Sequence, residues 1–163
     1  IKHLKIKNKR MNIRIAEEED LPQIKKLYRD FFSLMASIQP DIIREAEQEE
    51  DFFQEMMDSD TSDILVVEAD EKIIGFMVLC EQITLPYNCF VQYTYAYLMD
   101  IMIQEEYRNK GVAKALIKKA KEWAKSRDLA YLDLNVLARN SNAIQFFKTE
   151  GFREQMITMR ITL

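Results

Sequence analysis

Glycine is scarce in this chain, with three in 163 residues, at 75, 111 and 151. That scarcity excludes the glycine-rich phosphate loops, because neither G-x-G-x-x-G nor G-x-x-x-x-G-K-[ST] can be written anywhere along it. Histidine is scarcer still: His3 is the single one, so Ser-His and Cys-His triads and histidine-based metal sites find no support. Two cysteines, Cys80 and Cys89, form no C-x-x-C pair and no disulfide framework; they read as small apolar fillers, and a cytoplasmic location is expected. No apolar run approaches the ~20 residues of a membrane span, and no secretory segment is evident, so no membrane association is expected. A net charge of −4 argues against a nucleic-acid partner and suits a cationic one.

The charge is unevenly spread. Acids gather in "EAEQEEDFFQEMMDSD" (45–60) and bases between 108 and 127. The first ten residues, "IKHLKIKNKR", are basic and precede Met11; they read as a disordered tag or upstream tail, leaving residues 11–163 as a single domain. No repeat, low-complexity tract or Gly/Ser linker marks a boundary inside that domain.

Local patterns give the elements. "NIRIA" (12–16) alternates as a strand and leads to a helix in which Asp20 is placed to cap and Pro22 to sit in the first turn. Ile24, Leu27, Phe31 and Leu34 recur at helical spacing, and a second amphipathic helix is expected over 43–58. "DILVVEAD" and "KIIGFMVLCEQI", joined by Asp70, Glu71 and Lys72, predict a hairpin, and 90–103 predicts one long strand or two. A basic helix over 111–127 carries an apolar stripe of Ala113, Leu116, Ile117, Ala120, Trp123 and Ala124. A strand (130–138), a short helix stopped by Gly151, and a final alternating strand, "FREQMITMRITL", complete the order β-α-α-β-β-β-α-β-α-β. That order describes an α/β domain with a mostly antiparallel sheet and one β-α-β crossover.

Gly111 stands where a strand and a polar turn meet the mouth of the basic helix. The first amides of a helix have no intrahelical acceptor and the macrodipole is positive there, so the position is an anion site by geometry. Glycine would let a phosphate approach the backbone, and Arg108 and Lys110 add charge. A helix cap with a solvated lysine face is the competing reading.

"YLMDIMIQEEYRNKGVAKALIKKAKEWAK", followed by "LNVLARNSNAIQFFKTEGF", resembles the GNAT superfamily of acyl-CoA-dependent N-acetyltransferases. The resemblance covers 96–152 well and rests on two motifs: Arg108-Asn109-Lys110-Gly111-Val112-Ala113, as [QR]-x-x-G-x-[GA], and Asn140, Ala143 and Phe147, as N-x-x-A-x-x-x-Y. It implies a GNAT-like mixed sheet, with a bulged, splayed central strand pair and about four flanking helices. It further implies that residues 108–113 hold the pyrophosphate of acetyl-CoA, a co-substrate used without metal. Ile101, Met102 and Ile103 would pair with the pantetheine arm, while Asn140, Ala143 and Phe147 would line its other side. Lys114 is a further candidate for a phosphate.

The implied reaction is direct acetyl transfer to a primary amine of a small molecule or peptide in a ternary complex. Here the chain departs from the family: the usual acid tyrosine falls at Phe147, which has no proton to give. Tyr97, Tyr107 and Tyr131 are nearby substitutes, Tyr97 being the preferred one. Asp100 lies inside the apolar run "YLMDIMI", where a carboxylate is costly unless it is paired, solvated or used. It reads either as base or ammonium anchor, or as a structural acid at a bulge. The departure at Phe147, and Met99 standing where the resemblance to the small-amine acetyltransferases of the family would place a Glu before Asp100, keep open a second class, an acyl-CoA-binding sensor or partner module with little or no catalysis. The aromatics Tyr87, Phe90, Tyr93, Tyr95 and Tyr97 suggest strand packing, an acceptor wall or a homodimer contact through 83–97.

Overall fold

The structure is a computed structural model that describes the backbone of residues 4–6 and 9–163 and the side chains from Met11 onward. Six strands form one sheet in chain order: β1 (Leu4–Ile6), β2 (Lys9–Ile15), β3 (Ser62–Ala69), β4 (Lys72–Ile83), β5 (Thr94–Ile103) and β6 (Leu132–Leu134). All neighbours are antiparallel except β5 and β6, which are parallel and joined through α3 (Val112–Ser126). Helices α1 (Leu21–Ile38) and α2 (Glu50–Asp58) precede β3, and α4 (Ser141–Thr149) follows β6. This is the mixed, mostly antiparallel sheet with four helices that the sequence predicts. The expected boundary after residue 10 falls inside β2.

The sheet separates two apolar cores. Leu65, Val67, Met77 and Leu79 point to the α3 and α4 face, where Leu116, Ile117, Ala120 and Phe147 meet them. Ile64, Val66, Phe76 and Val78 point the other way, onto Ile24, Leu27 and Tyr28 of α1 and Phe53 of α2. The period-2 alternation of β3 and β4 thus fills both faces, which is why these strands read as nearly continuous apolar runs. Trp123 of α3 donates to Asp63 at 2.6 Å, and Arg127 bonds Asp63 and Glu81 at 3.2 and 2.9 Å, fastening the end of α3 to β3 and β4.

Five expectations change, the first being the strand expected over 130–138, which shortens to Leu132–Leu134. Asp20 does not cap α1 through its side chain; its carboxylate takes two bonds from Arg14, at 2.6 and 2.9 Å, and one from the Glu17 amide, because a buried acid is held better by a bidentate guanidinium. The second helix begins at Glu50 rather than 43, since Glu45, Glu47 and Glu50 reach across to Ser33, Arg29 and Lys25 of α1. Those contacts favour an extended approach over a helix with crowded acids. Strand β5 starts at Thr94, and the residues before it form a loop. Residues 152–163, read as a strand from their alternation, pair with no strand among the described residues.

One glycine is fixed by packing. A Cβ at Gly75 would stand 2.7 Å from the Met102 carbonyl oxygen and 3.2 Å from the Ile103 side chain, on the β5 segment paired with it. Gly75→Val is expected to lower stability by about 1–3 kcal/mol, as overpacking does. A lower urea midpoint with an unchanged slope is the predicted readout.

Candidate active site

Strands β4 and β5 lose register between Val78 and Leu79: Val78 faces Asp100 and Leu79 faces Leu98, so Met99 is an extra residue in β5. A bulge of this kind sharpens the local twist and interrupts pairing. Beyond it β5 leaves β6, whose ladder stops at Leu98 opposite Leu134. The outer edge of Ile101, Met102 and Ile103 therefore faces a cavity of about 1300 Å³ instead of a strand.

That cavity gathers most of the residues singled out from the sequence. Asp100, Ile101, Met102, Ile103, Arg108, Asn109, Gly111, Val112, Ala113, Asn140, Ala143 and Phe147 all line it. Lys110 lies beside it, in a shallower basic recess of about 520 Å³ with Lys114, Lys118 and Lys121. Tyr97 is not among the lining residues; its hydroxyl has the Asn135 side chain within hydrogen-bonding reach, and burial pushes its pKa up. Tyr107 packs against the α3 core under the Lys110 ammonium, and Tyr131 stacks on Tyr95 at 4.9 Å, so neither lines the cavity.

The loop at the mouth of α3 is built to present amides. Asn109 and Gly111 are both left-handed, at φ 57° and 82°. A Cβ at Gly111 would meet nothing within 4 Å, so its backbone conformation, rather than crowding inside the chain, calls for glycine. Among the described residues, the amides of 109 to 114 donate to no acceptor in the chain, and α3 has no side-chain cap. Arg108 is turned inward, its Nε donating to the Ile103 carbonyl at 2.9 Å, which fixes the end of β5 against the loop. Lys110 bonds the Glu106 carbonyl and lies over the Tyr107 ring at 5.5 Å. Across the gap, Asn140 caps α4 by accepting the Ala143 amide at 3.2 Å.

The other end of the cavity is acidic at one point and otherwise apolar. Asp100 accepts the Tyr28 hydroxyl at 2.9 Å, and Tyr28 is fully buried, stacked on Phe76 at 4.4 Å. Burial pushes the Asp100 carboxyl up, and the Tyr28 bond partly opposes this. Phe31, Phe32, Leu34, Met35 and Ile38 of α1 form the wall beside it, with Met99. The end of α1 is tied over the gap: Gln39 accepts the Arg139 amide at 3.3 Å and Asp41 pairs with Arg139 at 3.2 Å. Sequence reasoning missed Tyr28 and Gln39. Tyr28 falls at helical spacing among core residues, and Gln39 gives no local signal at all.

The profile of the Acetyltransferase (GNAT) family matches residues 21–152. The chain belongs to this family. It is 31% identical over 107 residues to an uncharacterized N-acetyltransferase of Methanocaldococcus jannaschii, a match covering 65% of the chain and 46% of that protein, so the chain spans less than half of that relative's length. Among solved structures, a mutant of a Bacillus halodurans protein superposes with a TM-score of 0.87 at 23% identity, over 93% of this chain and 99% of that one. An aminoglycoside N-acetyltransferase in complex with CoA superposes with a TM-score of 0.71 at 18% identity, covering 93% and 100%. These likenesses show the fold, and the family assigns acetyl transfer in general.

No cluster of metal-ligating side chains occurs among the described residues, and no helix there is long and apolar enough to cross a membrane.

The Asp100 environment has a consequence for stability. Its carboxyl holds a proton more tightly in the folded chain than the ordinary pKa of ~3.9 allows, so stability falls as pH rises from that value through the raised folded one. Asp100→Asn removes this contribution. The unfolding free energy of the variant minus that of the parent is therefore expected to grow with pH across the window and level off above it. A difference that shrinks instead would mean that the charged carboxylate is the form the fold favours.

Proposed function

We propose that the protein transfers an acetyl group from acetyl-CoA to the primary amine of a small molecule or peptide, by direct attack in a ternary complex. The observation that carries this reading is the open backbone edge of Ile101, Met102 and Ile103 leading to a run of amides at the mouth of α3. An extended polar arm fits the first and a pyrophosphate fits the second. The edge offers the alternating donors and acceptors that strand addition uses, and charge-assisted bonds from amides to phosphate are worth about 1.5–3 kcal/mol each. Lys110 and Lys114, with Lys118 and Lys121, border the recess beside Gly111 and suit the remaining phosphate. Asn140 keeps its amide NH2 for the arm once its oxygen has capped α4.

Asp100 is the residue assigned to the amine. An alkylammonium with a pKa of ~10.4 must lose its proton before attack, which at neutral pH costs roughly 4–5 kcal/mol. A carboxylate at the inner end of the apolar wall, with its pKa pushed up and one oxygen held by Tyr28, can anchor the ammonium and receive that proton, directly or through water. Phe31, Phe32, Leu34, Met35 and Ile38 are the surroundings the rest of the acceptor meets. An acceptor with one amine and an apolar body suits this wall better than a polycation, because the other carboxylates lining the cavity, Glu105 and Glu150, stand by the α3 loop and the end of α4 and not on the α1 wall.

A binding module with little catalysis is the second reading, supported by Phe147, which is buried among Phe146 and Phe152 and supplies no acid for the leaving thiolate. The two readings part on amine-dependent release of free CoA. Saturation with acetyl-CoA at a hundred times its dissociation constant should add about 2.7 kcal/mol of stability in either case. Gly111→Val should abolish that increment, while straining its own backbone by about 1–2 kcal/mol. Under the enzyme reading, Asp100→Asn should lower kcat roughly 10²–10⁴-fold, and an alkyl monoamine should show a higher kcat/KM than spermidine. CoA binding with no amine-dependent thiol release would leave the module reading in place.

A further inference from the structure

Residues 45–50 are not a freely solvated run of acids; they form a strap laid along α1. Within 44–50 every residue is exposed except Gln48, which is half-buried. Three of its neighbours tie the segment down. Glu45 accepts from the Ser33 hydroxyl at 3.2 Å, Glu47 pairs with Arg29 at 3.2 Å, and Glu50 pairs with Lys25. Lys25, Arg29 and Ser33 follow one another at helical spacing on one stripe of α1, and the strap runs along that stripe in the opposite direction. Each exposed contact alone is weak, but three in succession fix where the segment lies.

The strap carries Gln48 to the Tyr28 hydroxyl. Gln48 Oε1 accepts the Glu49 amide at 3.2 Å, which leaves the side-chain NH2 to donate, and the Tyr28 oxygen is the acceptor it reaches. Tyr28 in turn donates to Asp100 Oδ2 at 2.9 Å. The ring between them is clamped: it stacks on Phe76 at 4.4 Å and is met edge-on by Phe52 and Phe53, each at 5.7 Å. The three groups therefore form a chain with one direction, from Gln48 through Tyr28 to Asp100. A hydroxyl that accepts a hydrogen bond donates a stronger one, so Gln48 tightens the bond on the carboxylate. The titratable groups that bear on Asp100 are Tyr28 from α1 and Tyr97 from β5. On β4 its neighbour is the apolar Val78, and α2 presents Phe52 and Phe53 to the Tyr28 ring. The Arg108 guanidinium in the same cavity is held by the Ile103 carbonyl and the Met102 sulfur, and Glu47 and Glu50 of the strap are turned to Arg29 and Lys25.

We infer that Gln48 is a positioning residue for Asp100, acting through the Tyr28 hydroxyl, and that the acidic stretch 45–50 is the strap that holds it in place. With Oδ2 fixed by Tyr28, Oδ1 is the oxygen left for an incoming ammonium. Burial opposes a charge on Asp100 and the donated bond favours it, so the relay offsets part of what burial costs and keeps the carboxylate able to receive a proton. The inference rests on the acetyl-transfer reading, in which Asp100 serves the amine.

The test compares the full chain with Tyr28→Phe, Gln48→Leu and the double variant. One readout is the titration of the Asp100 carboxyl followed by NMR, with Asp100→Asn identifying its resonance. The other is the pH profile of kcat/KM for an alkyl monoamine. Loss of the donated bond raises the Asp100 pKa, so the rising limb of the profile moves to higher pH. On that limb kcat/KM is expected to fall roughly tenfold in Tyr28→Phe, as loss of a bond to a charged group predicts, and by less in Gln48→Leu. The double variant should match Tyr28→Phe, because Gln48 has nothing to act on once the hydroxyl is gone. Stabilisation by acetyl-CoA reports that each variant is folded. An unmoved Asp100 titration in Gln48→Leu would overturn the inference. So would a double variant whose shift is the sum of the two, since independent packing defects add. Failure of the acetyl-transfer reading looks different: the titration would shift as expected in a chain that releases no CoA with any amine, and the relay would stand without that reaction.

Discussion

Met99, the additional residue in β5, is the constraint on which the rest of the site depends. Leu98 points to the α3 and α4 core, and an unbroken alternation would send residue 100 to the same face. The extra residue shifts the phase by one. Ile101 and Ile103 keep to the α3 face, Met102 goes to the α1 face, and Asp100 reaches Tyr28 there. The same bulge ends the ladder with β6 after Leu98, so the strand that carries the carboxylate also opens the gap beside it. One inserted residue thus aligns an acid on one face with an open backbone edge between two strands. Neither feature would survive a regular strand in that position.

The two ends of the cavity then differ in chemistry because different elements close them. At the α3 end, left-handed Asn109 and Gly111 turn a series of amides outward, and Arg108 is spent on the Ile103 carbonyl. The positive potential there comes chiefly from backbone and helix dipole, with lysines alongside in place of a guanidinium fork. At the α1 end a single carboxylate meets an aromatic and aliphatic wall. Asp100 is less easily ionised in that setting, and Tyr28 is held protonated, since burial and the neighbouring carboxylate both raise its pKa. Free amides at one end and a carboxylate at the other, set along one strand and the loop that follows it, are what the proposed acyl donor with phosphates and amine acceptor would require.

What was legible in the sequence was local. The glycine at the mouth of α3, the order of elements from β2 to α4 and the basic helix stripe are all set by residues near one another, and they reappear in the structure. The start of α2 was not local: residues 45 to 50 are drawn out by Ser33, Arg29 and Lys25, which no window around them contains. Tyr28 was hidden because its ring belongs to the core while only its hydroxyl serves Asp100. Asp20 looked like a cap, yet a guanidinium from β2 claims it first. Tyr97 was picked from its place in the strand, whereas the bulge two residues on decides which side chains reach the cavity.

The last alternating segment shows the limit of pattern reading more sharply. Alternation states that one face of a segment is to be buried; it does not state against what. For β3 and β4 the partner lies a few residues away and the pairing is found, while the alternation of 157–163 meets no strand among the described residues. Local rules are expected to fail where a protein meets something outside itself. In this chain they fail in three places of different polarity: amides without acceptors at α3, a buried carboxylate on β5, and apolar side chains in solvent after Gly151. The first two can be satisfied by small polar molecules. The third cannot, because exposed apolar side chains are relieved by apolar surface rather than by polar contacts.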